Sequence, residues 1–148
     1  YGNMTQLYLY RITGQEIYLK RFIKGAQFWT RAFVDQEHGG TVLKADFAGN
    51  TLKGAKAVRT KTAYHAMEHA LLNYLYVQLW VADKPAKLHY RLNTSMAGKL
   101  FRPVFLCDPE IQVQSVRING EAWEQFDPIG RTIQLPERDS LNIQVKLK

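Results

Sequence analysis

The sequence predicts an α+β chain: about three helices over residues 1–83, followed by a small antiparallel β-sandwich over 84–148. Three observations predict it. Apolar residues recur at three- and four-residue spacing in the first part, the period of a helix buried along one stripe. From Lys84 the spacing changes to two, the period of a half-buried strand. Pro, Gly and Asn then punctuate the chain every few residues, as turns between short strands do.

The first stretch, residues 1–11, is apolar and aromatic, and Thr13-Gly14 breaks it. Thr13 is placed to cap the next helix, with Glu16 three residues on as its capping-box partner. That next helix carries Ile17, Tyr18, Phe22, Ile23, Phe28, Trp29, Ala32 and Phe33, with Lys20, Arg21, Lys24 and Arg31 largely between them. Gly25 inside it costs about 1 kcal/mol relative to Ala, so close packing against its face is expected. Residues 35–61 form a long connection with Gly39-Gly40, Gly49-Asn50 and Gly54; short extended pieces are expected at 41–43 and 45–47. Its lysines are expected to pair with Glu37 and Asp46. The strongest helical signal spans 62–82, from Tyr64 and Met67 to Leu79 and Trp80. Apolar residues lie on nearly every face of it, which implies burial on most sides.

About six strands are expected after that. They are the runs 87–92, 101–106, 111–118 with a bulge at Ser115, 121–126, 132–135 and 141–147. Asn119-Gly120 signals a type I′ hairpin. Cys107 is expected as a buried strand residue. Trp29 and Trp80 are expected in cores, and Trp123, just after a hairpin, is expected to be partly exposed.

The chain has 148 residues and a formal charge of +7. Basic and acidic residues number ten and six in 1–83, and ten and seven in 84–148, so there is no basic tail. That argues against nucleic acid as a partner. One cysteine excludes an internal disulfide framework and any cysteine-built zinc site, and a cytoplasmic location fits. No apolar run approaches the ~18 residues that read as a membrane span. The sequence opens on Tyr1 inside an apolar pattern, and a processed product or a piece of something longer is expected.

The chemistry concentrates in Tyr64-His65-Ala66-Met67-Glu68-His69. On a helix His65 and His69 stand one turn apart on one face, with Glu68 adjacent. Three readings are open. The string matches H-x-x-E-H, which holds zinc when a third protein ligand is supplied, and none stands out downstream. Both histidines can be hydrogen-bonded residues of a packed helix. Or one of them is a general acid/base, since imidazole titrates near neutrality.

Three stretches in order resemble the C-terminal end of the N-acylglucosamine 2-epimerase superfamily, which includes cellobiose 2-epimerases and mannose isomerases. Tyr10-Arg11-Ile12-Thr13-Gly14-Gln15-Glu16-Ile17-Tyr18-Leu19 is similar to the family's break before its penultimate helix. Phe33-Val34-Asp35-Gln36-Glu37-His38-Gly39-Gly40 resembles the acidic turn with a Gly-Gly pair after that helix. Lys61-Thr62-Ala63-Tyr64-His65, followed by Ala70-Leu71-Leu72, resembles the opening of the last barrel helix, which begins with an aromatic-His pair. The resemblance covers roughly residues 7–80. It implies the last three or so helices of an (α/α)6 barrel, no cofactor and no metal, and a sugar substrate. It also implies His65 as the catalytic acid/base, with Tyr64, Glu68 and Lys61 around it as substrate-binding residues. The partner histidine and the substrate-binding Arg and Glu residues would lie on earlier helices, so the chain alone is expected to be inactive. Either the missing N-terminal barrel portion or a second copy of the chain would cover the exposed helix faces. Two positions depart from the family: Thr41 follows the Gly-Gly pair where an aromatic is usual, and Glu68 stands where an Arg is frequent. A non-catalytic glycan- or protein-binding module, with the β-region as its binding part, is the alternative.

Overall fold

The computed structural model describes residues 2–52, 56, 58 and 63–148. Its described residues form an α+β fold with three α-helices and a small antiparallel β-sandwich of seven strands, and the chain divides into two compact units, Tyr1–Tyr76 and Val77–Lys148. Among the described residues no helix is long and apolar enough to cross a membrane.

The helical unit holds α1 (Gly2–Thr13), α2 (Glu16–Ala32) and α3 (Ala63–Tyr76). Gly14 ends α1 at φ +67°, a left-handed conformation that glycine adopts without a Cβ penalty. The expected capping box does not form. Gln15 is the N-cap of α2 and makes no side-chain cap bond, while the Thr13 hydroxyl donates to Leu9 O at 2.6 Å and accepts from Gln15 N at 3.3 Å. Helix α1 simply runs through the residue expected to cap its successor. Met4, Leu7, Phe22, Ala32, Leu75 and Tyr76 are buried here.

Helix α3 is not buried on most sides. Tyr64, Met67, Leu71 and Tyr74, spaced by three, four and three residues, form an exposed apolar stripe along it. In the connection, the extended pieces reduce to single bridges, Val34 with Thr41 and Ala45 with Thr51. The expected ion pairing shifts as well. Lys56 binds Asp35 at 2.6 Å rather than Glu37, and Asp46 caps its own turn through Asn50. Asp35 is the better partner because its Oδ1 is already fixed by the backbone N–H groups of Glu37 and His38. Three further connection cations, Lys53, Arg59 and Lys61, lie outside the described residues.

The β unit opens on a π-helical turn, Val77–Val81. Its strands are β1 (Ala86–Asn93), β2 (Leu100–Phe101), β3 (Val113–Ile118), β4 (Glu121–Trp123), β5 (Phe126–Asp127), β6 (Thr132–Gln134) and β7 (Ser140–Leu147). One sheet has the order β1-β7-β3-β4 and the other β2-β6-β5, all antiparallel. Strict alternation makes the inner layer: Leu141, Ile143, Val145 and Leu147 of β7 face inward beside Ala86 and Leu88 of β1. The register slips between Val113 and Ser115, and Asn119 and Gly120 turn the hairpin at φ +52° and +88°.

The run 101–106 is not a strand beyond Phe101. Pro103 has no N–H to donate to a ladder, so the chain leaves the sheet there. Val104 and Leu106 still bury their side chains, but Cys107 lands in the following loop and is exposed. Arg131 secures that loop. Its guanidinium donates to the carbonyls of Leu106 (2.7 Å), Asp108 (2.8 Å) and Ile111 (3.1 Å). Asp108 in turn accepts from Trp80 Nε1 at 2.9 Å.

Candidate functional site

The chemistry of the helical unit sits where α1, α2 and α3 frame a cavity of about 290 Å³. Alanines and leucines around the motif, Ala66, Ala70, Leu71 and Leu72, favour the helix that presents His65, Glu68 and His69 one turn apart. All three line the cavity, with Trp29 and Phe28 of α2 facing them and Met4 of α1 beside them.

Glu68 is the hub. Its Oε1 accepts from the Tyr64 hydroxyl at 3.3 Å, and its Oε2 stands 3.9 Å from His65 Nδ1. Tyr64 also packs its ring edge-to-face on His65, centroids 5.3 Å apart. The imidazole is thus flanked by a carboxylate on one side and an aromatic ring on another. At 3.9 Å the carboxylate is an electrostatic neighbour of the ring rather than its hydrogen-bond partner. The His65 side chain keeps 48% of its exposure, so a solute can reach it.

His69 is placed differently. Its ring tilts against Trp29 at 4.7 Å, and Asn73 Nδ2 lies 2.9 Å from Nε2. Burial lowers its pKa from the ordinary histidine value. Among the described residues no three His, Cys, Asp or Glu side chains gather into a group that could hold a metal ion.

Of the four residues expected at the site, Tyr64, His65 and Glu68 come together on one turn of α3, and Lys61 lies outside the described residues. Glu68 is the residue that ties the other two. Most of the cavity lining falls outside the expected set, and two of those residues bear on the chemistry and the packing. Trp29, expected as plain core, is only partly buried and forms a wall of the cavity, stacked on Phe33 at 4.8 Å. Asn3 of α1 also lines it. Gly25 is the sequence signal for this approach: a Cβ there would run into the Asn3 carboxamide, whose Cγ would be only 2.9 Å away. A glycine in mid-helix announces a close neighbour without saying which one.

A second, larger hollow of about 390 Å³ lies on the outer face of the four-stranded sheet, between His89, Arg91 and Arg117. It contains none of the expected site residues. No protein-family model, curated protein or solved structure matches the chain.

Proposed function

We propose that the helical unit carries the acid/base end of a carbohydrate epimerase or isomerase site, with His65 as the proton-transferring group. The observation that carries this reading is the cavity in which His65, Glu68 and the Trp29 ring meet. Sugar epimerisation needs a group that takes or gives a proton at a carbon beside a carbonyl, and imidazole does so near neutral pH. Glu68 and Tyr64 orient that imidazole and bind hydroxyls, and Lys61 is the further substrate contact. The indole and Phe28 supply apolar faces of the kind that pack on the C–H side of a sugar ring. His69 is held by Asn73 and Trp29, so it is a wall of the site rather than its second proton carrier.

In this reading the second proton carrier comes from helices outside this chain, and the protein acts in the cytoplasm. The exposed stripe Tyr64, Met67, Leu71 and Tyr74 is where those helices, or a second copy, pack. A monomeric mass in sedimentation at micromolar concentration would count against a second copy. Titration with hexoses and N-acylhexosamines, followed by calorimetry, should give weak saturable binding that His65→Ala and Trp29→Ala abolish. The isolated chain should turn over none of these sugars. Binding that ignores both substitutions sinks the site assignment, and turnover by the chain alone sinks the need for a second carrier.

A further inference from the structure

The charge of the β unit is evenly spread along the chain but not in space. Period-two alternation sends Lys87, His89 and Arg91 of β1 to the outer face of the four-stranded sheet. Arg117 of β3 and Lys146 of β7 join them there. The register makes this a surface rather than a scatter. His89 pairs with Gln144 and Gln144 with Arg117, so the three stand in one row across β1, β7 and β3. Arg91 pairs with Asn142 and Lys87 with Lys146 in the flanking rows. Strand spacing puts His89 and Arg117 about 10 Å apart, with Lys87 and Arg91 each about 7 Å from His89 along β1. No outward strand position of this sheet carries Asp or Glu; Glu124, just past β4, shares a separate hollow with Arg117.

We infer that this face binds a linear anionic glycan through its carboxylate or sulfate groups. Charge complementarity selects an anionic chain, since the four cations Lys87, Arg91, Arg117 and Lys146 share the face without an acid among its strand positions. The rest of the face selects a sugar. Asn142 and Gln144 stand between the cations, and side-chain amides both donate to and accept from hydroxyls. Phosphates only accept, and unstacked bases need aromatic platforms. The outward strand positions carry none: Tyr90, at the edge of the hollow, donates its hydroxyl to Pro103 O at 2.7 Å, and Trp123 and Phe126 line the separate hollow with Glu124. The hollow of about 390 Å³ between Arg91 and Arg117 gives the bound chain its central contact. All of these groups belong to the β unit, so glycan binding here is independent of the role of His65.

The test measures binding of the full chain to an oligogalacturonate and to a heparin oligosaccharide. Length-matched cello-oligosaccharide, oligouridylate and polyglutamate are the comparators. Both anionic glycans should bind, more weakly as salt rises, because exposed charges are screened over about 8 Å at physiological ionic strength. Arg91→Ala with Arg117→Ala should weaken binding by roughly tenfold or more, equivalent to about 1.4 kcal/mol. Lys20→Ala with Lys24→Ala removes the same charge from α2 and should leave affinity unchanged. Arg91→Ala alone should show a smaller loss in the same direction, which keeps the test sound if the Arg117 change disturbs the hairpin. Equal binding of the neutral glycan overturns the inference, as does equal loss in the α2 variant. Tighter binding of oligouridylate or polyglutamate overturns the choice of partner.

Discussion

In the β unit fourteen apolar side chains are buried, from Ala86 to Leu147, and four large ones are exposed among its residues. The helical unit buries six and exposes ten among its described residues, including the stripe from Tyr64 to Tyr74. The contrast follows from geometry. Two facing sheets close their inner layers on each other, so a short chain can finish its own core. Three helices expose more sides than they can cover, and α3, apolar nearly all round, is the one left open. Each unit keeps its chemistry accordingly. The β unit has a finished core and a polar outer sheet face. The helical unit has an unfinished core and a cavity among its polar exceptions, His65, Glu68 and His69.

Substitution in the two cores probes that contrast most strongly. Leu141→Ala, at a fully buried site of β7, should cost about 2–5 kcal/mol and lower the unfolding transition of the β unit. Leu71→Ala, on the exposed stripe, should change the stability of the isolated chain by less than about 0.5 kcal/mol. A large loss at Leu71 in chemical denaturation would show that the stripe is already covered. Next in size, Arg131→Met removes three charged donors from the carbonyls that fix the 106–111 loop and should cost at least about 1.5–3 kcal/mol. Faster hydrogen exchange in that loop, with the rest of the β unit unchanged, would locate the effect.

Much of the β unit is legible in the sequence. Alternation in 141–147 names the inward residues, and Asn119-Gly120 names the hairpin, because both depend on neighbours along the chain. The role of Arg131 is not legible: its acceptors lie 20 to 25 residues away and are backbone carbonyls, which every residue has. Cys107 comes out exposed rather than buried because the strand stops at Phe101, before Pro103, and the apolar residues after it run on as loop. In the helical unit the motif 64–69 stands out at once, but the roles around it depend on other helices. The capping box fails because Thr13 belongs to the helix before it. Trp29 reads as core because periodicity reports which face is apolar, not whether that face is filled.

Gly25 tests the close approach of α1 and α2. Gly25→Ala gains about 1 kcal/mol in helix propensity. It also displaces the Asn3 amide, which in its bonding orientation donates to Phe22 O at 3.1 Å and accepts from Ala26 N at 3.3 Å. The single variant should be neutral or destabilised, and adding Asn3→Ala should recover the propensity gain. Full stabilisation by Gly25→Ala alone in thermal melts would mean that Asn3 yields freely.

The smallest effects separate the units by pH. Burial lowers the pKa of His69, so the unfolded chain takes up a proton first as pH falls, and the helical unit loses stability below about 6.5. Lys56 and the backbone N–H groups hold Asp35 well below the usual carboxylate range. That contribution is present above about pH 4 and is lost as Asp35 protonates. In the β unit, burial pushes Tyr90 up to about 12. Its contribution is therefore complete below about pH 10, the unfolded value, and is lost as pH rises through about 12. Residue-resolved hydrogen exchange across pH should show the helices loosening on the acid side and the sheet on the alkaline side. The reverse order would contradict the assignment of these groups.

Whether His65 is the proton-handling group of a sugar site is best decided by following the histidine ring signals by NMR while adding hexose or N-acylhexosamine. A sugar site there should give saturable shifts of the His65 signals, smaller shifts of His69, and none at His38 or His89. The His65 shifts should disappear in Trp29→Ala. Unmoved His65 signals at saturating sugar, or shifts spread equally over all four histidines, would contradict the proposal.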